Sequence, residues 1–260
     1  MSCIKSSHVR SLLVFTNNES PPSFENKTTK NYKLLRVLDC ESSSIRKVPE
    51  NLGNIIHLKY LSLGNFIKCE ILQSIGILRN LETLNVSGAV LELPKEISKL
   101  RKLRHLIGYR LSLIQLKDGI GEMTSLQTLR NVEIDMDGAE KIIKGLGKLK
   151  EMRDLRLIDV RGEDVIILSS SINEMQHLEK LVVKSRWEEN FEVIDLELIS
   201  FPTTLRKLTL RGILQKLPEW IPKLHNLVEL KLYESCLTED PLKSLNCLQH
   251  LLSLTLRDHA

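Results

Sequence analysis

Leu58-Lys59-Tyr60-Leu61-Ser62-Leu63 and Leu81-Glu82-Thr83-Leu84-Asn85-Val86 share one pattern, aliphatic at the first, fourth and sixth places. The pattern returns upstream at Val9-Leu12-Val14 and Leu35-Leu38-Cys40. Downstream it continues through Leu103-Leu106-Gly108, Leu126-Leu129-Asn131, Met152-Leu155-Leu157, Leu178-Leu181-Val183, Leu205-Leu208-Leu210, Leu227-Leu230-Leu232 and Leu251-Leu254-Leu256. From Leu35 onward each copy begins at a nearly constant interval after the last, shortest between Leu81 and Leu103 and between Leu205 and Leu227 and longest between Leu178 and Leu205, too regular for accident. Gly108 and Asn131 depart from the third aliphatic place, so their strands are expected to be short or bulged.

The segment ahead of each copy repeats as well, as three aliphatic residues spaced by three: Leu52-Ile55-Leu58, Ile75-Leu78-Leu81, Ile97-Leu100-Leu103 and Ile120-Met123-Leu126. Later copies are Leu146-Leu149-Met152, Ile172-Met175-Leu178, Ile221-Leu224-Leu227 and Leu245-Leu248-Leu251. A spacing of three turns one face of a short helix or 3₁₀ turn toward a core. Alternation along a strand keeps the three aliphatic places from sharing a face by pleating alone, so part of the motif must turn the chain. Each unit is then a strand, a turn and a helical return. The expected fold is α/β, a leucine-rich-repeat solenoid or horseshoe, with a concave parallel sheet of about eleven short strands and convex short helices or 3₁₀ turns. The expected organisation is one domain over 1–260, with strands starting near 9, 35, 58, 81, 103, 126, 152, 178, 205, 227 and 251 and an irregular polar insertion at 16–31.

Composition agrees with repetition: 42% of residues are hydrophobic while Phe, Trp and Tyr make only 4%, as a core of repeated aliphatic layers requires. No run reaches the eighteen or so apolar residues of a membrane span, and the short run Val9–Phe15 is broken by Arg10. Five scattered cysteines, with no Cys-x-x-Cys pair, fit reduced thiols and a cytoplasmic location. Sequons begin at Asn18, Asn26 and Asn85, the last of them in mid-strand.

Proline follows an aliphatic residue ahead of several returns, at Val48-Pro49-Glu50, Leu93-Pro94-Lys95 and Leu217-Pro218-Glu219, where it pre-sets φ for a turn. The string from Ile45 to Leu61, echoed from Leu91 to Leu106, resembles the repeats of plant intracellular nucleotide-binding leucine-rich-repeat disease resistance proteins of the coiled-coil type. Ser7-His8-Val9-Arg10-Ser11-Leu12-Leu13-Val14-Phe15 resembles the segment that opens that repeat domain, and Phe201-Pro202-Thr203-Thr204-Leu205-Arg206-Lys207-Leu208-Thr209-Leu210 resembles one of its recurrent strands. The resemblance implies plant defence signalling, in which the repeats recognise a pathogen effector or a host guardee and hold a nucleotide-binding switch domain inactive, in cis or in trans. No Gly-x-x-x-x-Gly-Lys-Ser/Thr phosphate loop occurs, and Gly145-Leu146-Gly147-Lys148-Leu149 lacks its spacing, so nucleotide binding does not carry over and no cofactor is expected. The last strand is followed directly by Asp258-His259-Ala260, without a polar cap, which leads us to expect a fragment or truncated receptor. The alternative is a free-standing signalling scaffold that binds kinases or small GTPases, since such scaffolds share the Ile-x-x-Leu-Pro phrase.

Residue chemistry points to binding and away from catalysis. No Ser or Cys stands in a nucleophile elbow, and Cys40 occupies a core leucine place and reads as a small buried hydrophobe. His57, His177 and His250 each precede a first aliphatic place; five repeats of about 4.8 Å separate the first two, too far to share an ion. No metal, small-molecule substrate or enzymatic activity is expected.

The variable places of the strands hold eleven basic and five acidic side chains, a surplus of six against +4 for the whole chain. Neighbouring strands align Lys59-Glu82-Arg104, Arg153-Glu179-Arg206, Asp154-Lys180 and Lys207-Glu229, which reads as ion-pair ladders. Arg130 and Arg156 stand as like charges in one column. The candidate protein-binding residues are therefore Arg104, His105, Arg130, Arg153 and Arg156, facing an acidic protein partner. With Tyr60 as the lone aromatic among the variable places, a nucleic acid is a poor fit.

Overall fold

Among the described residues each of the eleven aliphatic repeats contributes one parallel strand, beginning just after its first aliphatic place, as Tyr60 follows Leu58 and Thr83 follows Leu81, and one short further strand pairs beside them. The computed structural model describes residues 8–15, 32–41, 52–63, 73–86, 91–134, 137–186 and 191–257. The insertion expected at 16–31, the turn at Val48-Pro49-Glu50 and the terminal Asp258-His259-Ala260 lie outside these residues.

The chain divides into two compact units, Met1–Leu126 and Gln127–Ala260. In the first, β1 (Ser11–Leu13), β2 (Val37–Cys40), β3 (Tyr60–Leu63), β4 (Thr83–Val86) and β6 (His105–Ser112) pair in parallel in chain order, and the short β5 (Leu91–Glu92) joins the far end of β6. In the second, β7 (Thr128–Glu133), β8 (Asp154–Val160), β9 (Lys180–Ser185), β10 (Lys207–Arg211), β11 (Glu229–Tyr233) and β12 (Ser253–Arg257) do the same. This is the leucine-rich-repeat solenoid that the repeat predicts.

The three aliphatic places reach the core by two routes. Leu61 and Leu63 are alternate residues of β3 and share its inner face, whereas Leu58 enters from the preceding turn. All three are buried, as are their equivalents at Leu155, Leu157 and Met152. Burying each such side chain contributes about 1.5–3 kcal/mol. Strands are locked at their starts by a shared acceptor: the Lys59 carbonyl receives both Glu82 N at 2.8 Å and Thr83 N at 2.9 Å. The same fork recurs where the Glu179 carbonyl receives Arg206 N and Lys207 N.

The aliphatic places spaced by three are buried from Leu52-Ile55-Leu58 through Ile221-Leu224-Leu227. The shorter repeats from Leu81 to Leu103 and from Leu103 to Leu126 return through 3₁₀ turns, Lys95–Lys99 and Ile120–Glu122. The longer repeats from Leu126 to Met152 and from Met152 to Leu178 instead hold α-helices, α1 (Ala139–Leu146) and α2 (Val165–Asn173), because the added length allows wider turns. Ser171 Oγ donates to the Ile143 carbonyl at 2.9 Å and joins α2 to α1.

The two departures at the third place behave differently. In β7 the register shifts between Leu129 and Val132, Asn131 adopts φ +59°, and Val132 fills the core place instead: a bulge, as expected. At Gly108 the expectation of a short or bulged strand fails, since β6 runs unbroken from His105 to Ser112 and keeps its register with β4. Leu111 occupies the volume that a side chain at 108 would take, for a Cβ there would lie 2.2 Å from Leu111 Cδ2. The core place is thus refilled from further along the same strand.

Candidate functional site

Residues at the variable places stand on the outer face of the sheet, where alternation continues past the third aliphatic place. In the first unit, Lys59 Nζ lies 2.7 Å from Glu82 Oε1, an expected rung of the ladder. The Lys59 hydrogen bond, with the charges of Lys59, Arg104 and Lys102 beside it, holds the Glu82 carboxyl below its ordinary value. Arg104 is exposed and His105 half-buried, and both backbone amides donate to the Glu82 carbonyl. Arg104 and His105 therefore sit at the mouth of this strand pair.

In the second unit, Arg153 pairs with Glu179 at 2.6 Å and Lys207 with Glu229 at 2.8 Å, again as the alignment predicts. Glu229 also receives Lys231, and hydrogen bonds from the two lysines draw its carboxyl down to about 2.

The reading of Arg130 and Arg156 as unrelieved like charges needs correction. Asp154 is in register with Lys180, but its carboxylate is held by the two arginines. Oδ2 accepts Arg130 Nε at 3.0 Å and Nη2 at 2.7 Å; Oδ1 accepts Arg156 Nε at 3.2 Å. Asp154 is only 5% exposed, whereas the arginine side chains keep about a third of their surface in water. One buried carboxylate thus fixes two guanidinium groups and leaves a net charge of one. Arg156 retains both Nη groups for other acceptors, since it reaches Asp154 through Nε.

The second unit also carries a column beyond the third aliphatic place that the repeat pattern did not include. Lys184, Arg211, Tyr233 and Arg257 align across β9 to β12. Arg211 is braced by Glu234 at 3.1 Å and lies 5.0 Å over the Phe191 ring. The signal was the period-two alternation of the strand, which does not end where the motif ends.

Cys40 is buried in β2, and burial, with Asp39 nearby, pushes its thiol up to about 12, as expected of a core place and not of a nucleophile. Asn85 is buried in β4 and donates to Ser62 Oγ at 3.2 Å. Among the described residues no three His, Cys, Asp or Glu side chains converge as a metal site would require. Nor is any helix among them long and apolar enough to cross a membrane.

A family model for leucine-rich repeat regions matches residues 8–260. The chain belongs to the leucine-rich-repeat family. As a sequence, this leucine-rich-repeat chain is 29% identical over 267 residues to disease resistance RPP13-like protein 2 of Arabidopsis thaliana, covering 95% of the chain and 29% of the relative. To disease resistance protein Pik-2 of Oryza sativa subsp. japonica it is 28% identical over 292 residues, covering 95% and 28% respectively. The chain thus spans under a third of the length of these curated relatives. In three dimensions it is similar to a leucine-rich-repeat protein of Leptospira interrogans, with a TM-score of 0.60, 20% identity, and 96% and 67% of the two chains covered. That likeness is one of fold.

Proposed function

We propose that this leucine-rich-repeat chain is a non-catalytic, cytoplasmic recognition and autoinhibitory module of plant defence, part of an intracellular immune receptor. Arg130, Arg153 and Arg156 of the second unit contact an acidic protein surface, either a nucleotide-binding switch domain or a pathogen or host protein, and Arg104 and His105 offer an acidic protein a contact of their own in the first unit. The observation that carries this reading is the arginine pair on Asp154. Arginine recognises carboxylates with a planar fork of donors, and a guanidinium already fixed in place loses less freedom when a partner binds. A one-to-one rung such as Lys59–Glu82 lacks this surplus, and the two lysines on Glu229 do not offer the planar fork of a guanidinium. The names of the plant relatives support the setting in defence.

The test is affinity between the purified chain and the nucleotide-binding domain of a full-length disease resistance relative, by calorimetry. Arg130→Glu combined with Arg156→Glu is expected to weaken binding about tenfold or more, as reversal of desolvated charge pairs does. Unchanged affinity in a folded double variant, for this domain and for any recognised protein, would remove these residues from the site.

A further inference from the structure

Three consecutive repeats of the second unit differ in length: the one from Leu178 to Leu205 is the longest of the chain, the next, from Leu205 to Leu227, is short, and the third, from Leu227 to Leu251, is again longer. The longest uses its surplus in an extended stretch where Ile194, Leu196 and Leu198 are buried while Asp195, Glu197 and Ile199 point outward, Ile199 being 90% exposed. Trp220, from the short repeat, is buried and donates Nε1 to the Leu196 carbonyl at 2.6 Å, which ties the floor to that wall. The opposite wall is Glu239, Asp240, Pro241 and Ser244, leading into the short helix α3 (Leu242–Leu245). These three repeats line an open cleft of about 620 Å³.

Two properties of the lining define what would fill it. Its apolar part is Ile199, Phe201, Leu217 and Pro218 beside Trp220. Its charged part is five carboxylates, Asp195, Glu197, Glu219, Glu239 and Asp240, against two ammonium groups, Lys216 and Lys223, a balance of −3 on a chain of +4. Among the described residues, Asp195, Glu197, Glu219 and Glu239 make no ion pair. Partial desolvation in the cleft, and the Glu197 carboxylate beside it, hold the Asp195 carboxyl above its ordinary value although the residue is exposed. Such a surface repels phosphate and attracts cations.

We propose that this cleft docks an extended basic segment of another protein, its apolar side chains against Ile199, Phe201 and Pro218 and its lysines or arginines among the five carboxylates. The segment runs alongside Asp195–Ile199, whose extended backbone gives a wall of matching length. This surface is separate from the arginine face and takes a partner of opposite charge.

The probe is a fluorescein-labelled octapeptide of alternating lysine and leucine, titrated with the whole chain and followed by anisotropy. Binding is expected, weakening about tenfold or more in the variant Glu197→Lys with Glu219→Lys, two exposed positions that leave the core intact. The alternating glutamate-leucine peptide should not bind, and Arg130→Glu with Arg156→Glu should bind the basic peptide as the parent does. No binding by the parent, or equal affinity in the cleft variant with unchanged circular dichroism, overturns the proposal. Octalysine or spermine binding as tightly as the lysine-leucine peptide also overturns it, by showing that charge acts without the apolar wall.

Discussion

Asp154 shows how one residue changes the meaning of its neighbours. As a sequence position it pairs by register with Lys180, and the columns of variable places leave Arg130 beside Arg156. The folded side chains choose otherwise because both guanidinium groups can reach one desolvated carboxylate, a stronger arrangement than an ammonium across an exposed rung. Asp154→Ala should cost about 1–3 kcal/mol in urea unfolding, a range kept low because the arginines remain partly hydrated. Asp154→Asn, which keeps an acceptor, should cost less. Equal stability of the alanine variant and the parent would mean that the triad does not bind the strands together. Every arginine of the candidate site was legible from the repeat; the acid that positions two of them was not, since rotamer choice lies beyond a column diagram.

Among the elements, repeat length alone did not fix the form of the return, since the longest repeat, from Leu178 to Leu205, holds no helix among its described residues. The repeats starting at Leu126 and Met152 gave α1 and α2 where the shorter ones starting at Leu81 and Leu103 gave 3₁₀ turns, and both forms keep the aliphatic spacing of three inward. The cleft is lined by three successive repeats, the middle one being the short repeat from Leu205 to Leu227. Gly108 supplies a test of core refilling. A Cβ at that position meets Leu111 Cδ2 at 2.2 Å and the Val86 carbonyl at 3.1 Å, so Gly108→Ala should destabilise by about 1–3 kcal/mol through overpacking. Combining it with Leu111→Ala should cost less than the two single changes added together, a coupling that a double-mutant cycle in chemical denaturation reads directly. Additive costs would show that Leu111 does not occupy the glycine's place. Sequence marked Gly108 as irregular and missed the compensation, because which side chain turns into the vacant place is settled only by folding.

At the scale of the whole molecule, charge partition governs both partners and pH. Lysines hold Glu82, Glu140, Glu174 and Glu229 below the ordinary carboxylate value, so each favours the folded state above about 4.5 and loses that contribution as pH falls toward its folded value, about 2 for Glu229. Asp164 and Asp195 have the opposite sign: desolvation raises their carboxyls, so each opposes folding above its raised value and the penalty fades as pH falls through it. Thermal unfolding should therefore show a falling Tm below about pH 4.5, and Glu229→Gln should flatten that fall. In the cleft, Asp195→Asn should raise Tm at neutral pH with little effect below the ordinary Asp range. A pH profile unchanged by either substitution would show that these carboxylates titrate alike in the folded and unfolded chain.

By itself the sequence determined the repeat, the eleven strands, the aliphatic core and the surplus of basic charge on the sheet, because each is set by period and residue type within one unit. Tertiary structure decided the shared partner of Arg130 and Arg156, the residue that fills the place of Gly108, and the cleft at the short repeat. Those depend on distances between side chains of successive repeats, and a single rotamer or a small difference in repeat length changes them while the period stays readable.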